Sequence, residues 1–257
     1  MTTQPALSVT PVLARQDNYV WLFPTGSNQV AAVDPGEALP VLNYLNENRL
    51  SLSHILLTHH HYDHQDGVPA LLEQFPDVEL IGFTGDQYRL PKLTHAVNDG
   101  DSLNLGSQNI QVWHTPGHTT GHVVYRIGDC LFSGDILFSY GSGRLFEGDP
   151  PQMWRTLKRL RTLPDTLFLC CGHEYTVTNL RFATDLEPHN QSLSKLFDWA
   201  CDRTDLGKPT VPNLFGLEKR FNPFFRCDDS EFLQAIGLSG KSPEEVLATI
   251  RERRNGY

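Results

Sequence analysis

No stretch of this 257-residue chain approaches the roughly 20 consecutive apolar residues that span a bilayer. The opening Met1-Thr2-Thr3-Gln4-Pro5 has neither a basic region nor an apolar one and is poor in arginine, so neither a secretory leader nor a transit peptide is expected. Cysteine is sparse: five residues, an odd number without framework spacing, so a disulfide scaffold is excluded and the cytoplasm is the expected compartment. Basic charge is also short. The net charge is −9 and the only dense basic segment is Arg251-Glu252-Arg253-Arg254, so no footprint for nucleic acid exists. There is no internal repeat. What remains, with 39% apolar residues, is an ordinary soluble chain able to bury a proper core, expected to act as a monomer.

Histidine is what the chain has in quantity where it matters. His59, His61, Asp63 and His64 fall within Thr58-His59-His60-His61-Tyr62-Asp63-His64, directly after the strand-like His54-Ile55-Leu56-Leu57-Thr58. Neutral imidazole and carboxylate, with no thiolate, form the ligand set of a catalytic rather than a closed structural metal site. Along an extended segment alternate residues share a face. His59 and His61 can therefore reach one metal, while the following turn swings Asp63 and His64 toward another and His60 points elsewhere. A solvated histidine tract would stop there. Instead further candidates recur where apolar runs end beside glycine, in Trp113-His114-Thr115-Pro116-Gly117-His118, Leu131-Phe132-Ser133-Gly134-Asp135 and Cys170-Cys171-Gly172-His173. His54, His114 and His122 read as half-buried strand or turn positions, and His95 and His189 as exposed. Cys130, Cys170 and Cys171 read as core.

Up to about residue 173 strand-like and helix-like segments alternate. Strands are expected at 18–23, 29–33, 54–58, 79–83, 110–114, 122–127, 131–133 and 167–171, and helices at 39–48, 68–74 and 151–163. Such a pattern suits a sandwich with helical outer layers. After Glu174 helical patterns take over, at 177–186, 190–205 and 242–254, broken by Gly207, Pro209, Pro212 and Pro223. The expected domains are 1–173, metal-binding and catalytic, and 174–257, a smaller helical one. In the last helix Ser242 and Glu245 form a capping box with Pro243 in the first turn. Val246, Leu247 and Ile250 line one side, and Arg251 and Arg254 project together from another.

The run His-x-His-x-Asp-His, the later Gly-His, the Asp after Ser-Gly and the final Gly-His occur here in the order of the metallo-β-lactamase superfamily, which the chain resembles. The resemblance implies an α/β sandwich of four layers, α, β, β and α, with two divalent metal ions at one edge. Zinc is the first expectation, with iron and manganese open. One metal would take His59, His61 and His118, the other Asp63, His64 and His173, with Asp135 bridging. Two cations roughly 3.5–4 Å apart bring a bridging water toward neutral pKa and polarise the carbonyl that it attacks. The resemblance makes Asp63 and Asp135 the catalytic residues beside a metal-bridging hydroxide; Asp63 is taken as a ligand, and the sequence does not separate that role from orienting the water.

Within the superfamily the chain most closely resembles glyoxalase II, the hydroxyacylglutathione hydrolases. The marks are Gly-His-Glu-Tyr-Thr at 172–176, Asn179-Leu180-Arg181-Phe182-Ala183, Glu187-Pro188-His189-Asn190, Thr210-Val211-Pro212 and Asn222-Pro223-Phe224. The likeness implies hydrolysis of S-D-lactoylglutathione to D-lactate and glutathione, the second step of methylglyoxal detoxification. It also implies a glutathione site at Arg144, Phe146, Tyr175, Arg251 and Arg254. Phe146 departs from the family tyrosine, losing a hydroxyl, and Arg144 and Arg254 stand where lysine is commoner. The rival activities are a persulfide dioxygenase, which the long helical C-terminal part disfavours, and another hydrolase of the fold such as a lactonase. A metal-bound scaffold without turnover is the rival of another class.

Overall fold

The computed structural model describes residues 4–257, so Met1-Thr2-Thr3 of the leader reading lie outside the described residues. The chain divides into two compact units. One comprises residues up to Thr115, Gly121–Gly134 and Cys170–His173, and the other Pro116–Thr120, Asp135–Leu169 and Glu174–Tyr257.

In the first unit a sheet runs in sequence order through β1 (Thr10–Ala14), β2 (Asn18–Gly26), β3 (Gln29–Val33), β4 (Ser51–Leu56), β5 (Glu79–Phe83) and β6 (His95–Val97). The first three strands are antiparallel and β3 to β6 are parallel. β2 is largely apolar, and its first six residues, Asn18–Phe23, are buried in succession because both of its faces are covered. On one face lie α1 (Ala38–Asn48) and α3 (Val68–Gln74), whose Val41, Leu45, Val68 and Leu71 join Val20, Leu22, Ala32 and Ile55 in one core. The register pairs Val33 with Leu56, so β3 and β4 end together and Asp34 emerges beside Thr58 and His59. Open parallel sheets build sites at such carboxyl ends.

The second sheet contributes β7 (Ser102–Leu105), β8 (Gln108–His114), β9 (Val123–Ile127) and β10 (Cys130–Gly134), all antiparallel. It faces the first sheet. Phe132 packs 6.3 Å from the Trp21 ring and 5.5 Å from that of Phe23, and the Tyr125 hydroxyl donates to the Leu57 carbonyl at 2.8 Å. Trp21 Nε1 donates to the Cys171 carbonyl at 2.8 Å, so a buried indole is satisfied between the sheets.

The second unit holds the hairpin β11 (Leu137–Phe138) and β12 (Gly141–Ser142), helix α4 (Pro150–Leu160), and the start of β13 (Phe168–Cys171), which pairs with β14 (Asn213–Leu214). Its α5 (Thr176–Leu186) and α6 (Gln191–Asp205) pack around Tyr140, Leu180, Ala183, Leu193, Ala200 and Phe221. α7 (Phe215–Phe221), α8 (Ser230–Ala235) and α9 (Pro243–Arg254) complete it, with α9 lying against α4.

Among the expectations, the capping box of α9 forms as read, and Val246, Leu247 and Ile250 are buried. Strand-like structure does not end at Glu174, since β14 lies beyond it. His122 is fully buried rather than half-buried. Cys130, Cys170 and Cys171 are buried thiols. Among the described residues no helix is long and apolar enough to cross a membrane.

Candidate functional site

In the first unit the chain leaves β4 through Leu57-Thr58 and enters the one-turn helix α2 (Tyr62–Gln65), which brings His59, His61, Asp63 and His64 into one short bend. Ring centroids of His59 lie 4.6 Å from His61 and 4.3 Å from His64, and His64 lies 5.3 Å from His173. Asp63, His64 and His173 each offer a ligand atom within 4.8 Å of one another. Asp63 Oδ2 sits 3.4 Å from His173 Nε2 and 3.5 Å from His64 Nε2. The bend is tight enough that a Cβ at Gly36 would fall 1.6 Å from the Asp63 carbonyl oxygen, so only glycine fits there.

Each of three histidines has its Nδ1 turned to an oxygen. His64 Nδ1 donates to Asp34 Oδ2 at 3.1 Å, His173 Nδ1 to Asp17 Oδ1 at 2.8 Å, and His59 Nδ1 to Thr58 Oγ1 at 3.0 Å. That arrangement places the proton on Nδ1 and the lone pair on Nε2, which is how a protein prepares imidazoles for a cation. The residues therefore fit a divalent metal. Asp34, although within 4.8 Å of His59 and His64, already accepts from the Thr58 amide at 2.7 Å and the Thr58 hydroxyl at 2.6 Å. It acts as the orienter of this loop, not as a ligand, and its φ of +52° is the left-handed backbone that turns the carboxylate inward. Asn18 Nδ2 donates to Asp63 Oδ2 at 3.0 Å and to its carbonyl at 3.1 Å. His122 stacks on His59 with centroids 5.0 Å apart and is itself held by Thr115. His60 turns away to the buried Asp86 at 3.0 Å, as the alternation of the segment requires.

In the second unit His118 and Asp135 stand together, Nε2 to Oδ2 at 3.7 Å, and His118 Nδ1 donates to the Arg144 carbonyl at 2.9 Å. They open onto a cavity of about 410 Å³ whose walls include Phe138, Tyr175, Arg144, Arg251 and Arg254. Phe146 lies edge-on to His118 at 5.3 Å and is 61% exposed. The Tyr175 ring meets Phe138 edge-on at 5.2 Å. Arg251 is only 6% exposed: its Nη1 donates to the Ser142 carbonyl, its Nε to Asn255 Oδ1 at 3.2 Å, and its guanidinium lies 5.2 Å from the Phe224 ring. Arg254 Nε donates to Asn179 Oδ1 at 2.9 Å.

Among the described residues none of Arg144, Arg251 and Arg254 forms an ion pair with an acid. Burial, reinforced by the charges of Arg254 and Arg144, pulls Arg251 down to about 9. Burial and Arg144 also lower Arg254. Cations that depress one another in this way form a ready anion site.

The sequence-derived residues thus assemble in two groups, His59, His61, Asp63, His64 and His173 in the first unit, and His118, Asp135, Arg144, Phe146, Tyr175, Arg251 and Arg254 in the second. Sequence reasoning gave no role to Asp17, Asn18, Asp34, Asn179 or Glu218. The signals for the first three were present, in Asp17-Asn18-Tyr19 and in Val33-Asp34-Pro35-Gly36 at a strand end.

A model of the metallo-beta-lactamase superfamily matches residues 8–173, and one described as the hydroxyacylglutathione hydrolase C-terminus matches residues 174–257. The class is therefore that superfamily, with its α/β sandwich followed by a C-terminal helical region. Hydroxyacylglutathione hydrolase of Rhodobacter capsulatus is 44% identical over 255 residues, 98% of this chain and 99% of the relative. That of a Vibrio campbellii strain is 41% identical over 253 residues, 98% of this chain and 100% of the relative. Among solved structures, ETHE1 from Myxococcus xanthus is 25% identical with a TM-score of 0.66, over 97% of this chain and 92% of that one. TTHA1623, solved in a di-iron-bound form, is 26% identical with a TM-score of 0.62, over 84% of this chain and all of that one. The chain belongs to the hydroxyacylglutathione hydrolase family of the metallo-beta-lactamase superfamily.

Proposed function

We propose that this chain hydrolyses S-(2-hydroxyacyl)glutathione thioesters, S-D-lactoylglutathione to D-lactate and glutathione, as the second step of methylglyoxal detoxification. The observation that carries the reading is the pocket of three arginines that have no acidic partner among the described residues, opening beside His118 and Asp135. Glutathione has two carboxylates, and a guanidinium holds a carboxylate bidentately. A net charge of −9 overall makes such a local cationic site selective for a small anion rather than a nucleic acid.

The proposed cofactor is a pair of divalent ions, zinc first, one held by His59, His61 and His118 and the other by Asp63, His64 and His173, with Asp135 shared. When bound, such a pair supplies an activated water and polarises the thioester carbonyl. The protein's own part is positioning. Asp17, Asp34 and Thr58 keep the Nδ1 protons in place, and Asn18 fixes the Asp63 carboxylate. Arg144, Arg251 and Arg254 hold the glutathione carboxylates, Tyr175 offers a hydroxyl, and Phe146 offers a ring face. The thiolate leaves without strong protonation.

We assign catalysis to residues 1–173 and glutathione binding to 174–257 together with Arg144 and Phe146, a division supported by the family models, which meet between 173 and 174. The proposed setting is a cytoplasmic monomer, since one chain carries every residue that the reading uses and its five cysteines are free thiols.

The deciding experiment is steady-state hydrolysis of S-D-lactoylglutathione, followed by loss of thioester absorbance. Metal-replete protein is compared with a His59→Ala variant and a chelator-stripped sample. Turnover that vanishes in both controls supports the reading. A metal-loaded enzyme without turnover sinks it, and persulfide oxidation and lactone hydrolysis become the next assays.

A further inference from the structure

One fully buried carboxylate in the second unit belongs to no part of the mechanism above. Glu218, on α7, is 0% exposed and accepts four hydrogen bonds. Oε1 accepts from the Ser139 hydroxyl at 3.0 Å and from Asn213 Nδ2 at 3.3 Å, and Oε2 from the Tyr140 amide at 2.7 Å and from Asn222 Nδ2 at 3.1 Å. No cation is among these partners. A buried carboxylate is retained against its desolvation only where donors converge on it, and here all four serve one short stretch of chain, the turn between β11 and β12.

That turn is built around a non-glycine residue in the left-handed region, Tyr140 at φ +56°. Its amide hydrogen is the one that Oε2 accepts, and its phenol receives Asn213 Nδ2 at 2.8 Å. Asn222, itself bonded to Glu218, spans the turn by donating to the carbonyls of Phe138 at 3.3 Å and Gly141 at 3.0 Å. The outer side of the same turn carries the arginine pocket. The Ser142 carbonyl accepts from Arg251 Nη1. The Ser139 carbonyl accepts from Asn179 Nδ2 at 2.9 Å, and the other end of that amide receives Arg254 Nε. Phe138 and Ser142 line the cavity, and Arg144 follows the turn directly.

We infer that Glu218 is a positioning residue for the anion pocket: by holding the Tyr140 turn from inside, it fixes the two carbonyls on which Arg251 and, through Asn179, Arg254 are set. It touches no substrate. Its action runs through the backbone of residues 138–142, and it acts on binding of the glutathione moiety rather than on the chemical step. The inference rests on the reading of this pocket as the glutathione site.

The test compares metal-loaded wild type with Glu218→Gln, Glu218→Met and Leu193→Ala. Glutathione affinity is measured by titration calorimetry, kcat and KM on S-D-lactoylglutathione, and Tm by melting. Glu218→Gln is close to isosteric but turns an amide toward donors that now lack an acceptor. It is expected to weaken glutathione binding by about tenfold, the equivalent of one lost anchoring interaction, and to raise KM in step, with kcat within twofold. Glu218→Met, without any acceptor, is expected to lose more. If that variant does not fold, the glutamine variant alone decides. Leu193→Ala removes a buried side chain of the same unit and is expected to lower Tm while leaving glutathione affinity unchanged. Unaltered affinity in Glu218→Gln, or an equal loss in Leu193→Ala, overturns the assignment while the pocket reading stands. A wild type that binds no glutathione overturns both.

Discussion

His173 gives its Nδ1 hydrogen to the carboxylate of Asp17 across 2.8 Å, joining residues 156 positions apart in the chain. The imidazole closes the Asp63, His64 and His173 group, and the carboxylate fixes the tautomer whose Nε2 lone pair can meet a cation. Partners of this kind commonly contribute 10–100-fold in metal affinity. Asp17→Ala is therefore expected to lower affinity for zinc at this position by roughly that factor, with the fold intact. Competition against a chromophoric chelator measures it, and far-UV circular dichroism checks the fold. Unchanged affinity would remove Asp17 from the account.

The same relationship explains how much could be read beforehand. The ligand loop was legible because its spacing is local: His59, His61, Asp63 and His64 obey the alternation of an extended segment and then one helical turn. The α9 cap was legible for the same reason, since Ser242 and Glu245 sit three positions apart. The roles of Asp17, Asp34 and Glu218 were not, although the first two stand in recognisable strand-end motifs, because each acts on residues brought near only by the tertiary fold. β11, β12 and β14 have two residues each, too few for any period to register, and their pairing comes from the turns and helices around them. The role of Phe146 was readable only by resemblance.

Arg251 illustrates a site that is electrostatically loaded before it binds. A base whose folded pKa is drawn below its unfolded value is disfavoured in its charged form, so the penalty is present in full below about 9 and is relieved only as pH rises from there toward the ordinary arginine range. At neutral pH an anion must relieve it instead. Glutathione is expected to raise Tm, and Arg251→Met, which keeps the packing on Phe224 but drops the charge, is expected to abolish most of that rise. In kinetics the variant should raise KM on the order of tenfold with little change in kcat, the pattern of lost uniform binding. Ligand-induced melting shifts persisting in full in Arg251→Met would contradict this.

Phe146 offers the converse change. Its ring is 61% exposed and touches His118 edge-on, so a hydroxyl can be added without burying it. One new hydrogen bond to the bound substrate contributes about 1 kcal/mol, roughly a fivefold effect. Phe146→Tyr is accordingly expected to lower KM severalfold at unchanged kcat. A KM that stays constant would mean that the missing contact is supplied elsewhere in the pocket.

Glu218 carries a signature in stability as well as in binding. Burial pushes its carboxyl up to about 7, even though the bonds from Tyr140, Asn222, Ser139 and Asn213 pull the other way. For an acid whose folded pKa is raised above its unfolded value of 4.5, the native state holds the proton that the unfolded chain has released. Stability then falls as pH climbs through the window from 4.5 to about 7 and levels off above it. The neutral glutamine of Glu218→Gln has no such slope. The difference in unfolding free energy between wild type and this variant should thus shift between pH 5 and pH 8 in favour of the variant, by on the order of 3 kcal/mol. Urea titrations of both proteins at the two pH values give the double difference, in which the histidines common to both cancel. A pH-independent difference would mean that the carboxyl ionises near its ordinary value.

Gly36 sets the tolerance of the metal loop. It follows Asp34 and Pro35 at the end of β3, and its amide returns to the Asp34 carbonyl at 2.8 Å. Any Cβ there would lie 1.6 Å from the Asp63 carbonyl oxygen and 2.4 Å from its carbon, both backbone atoms that no side-chain rotation can clear. Accommodation requires the loop from 61 to 64 to move, and Asp63 and His64 are the groups that it carries. Gly36→Ala is expected to cost 1–3 kcal/mol of stability, as overpacking does, and to lose more metal occupancy than its small change in volume suggests. Metal content by elemental analysis, alongside Tm measured in excess chelator, separates the two effects. If Gly36→Ala retained full metal at wild-type affinity, the backbone of Asp63 would have to be far more compliant than the bonds from Asn18 allow.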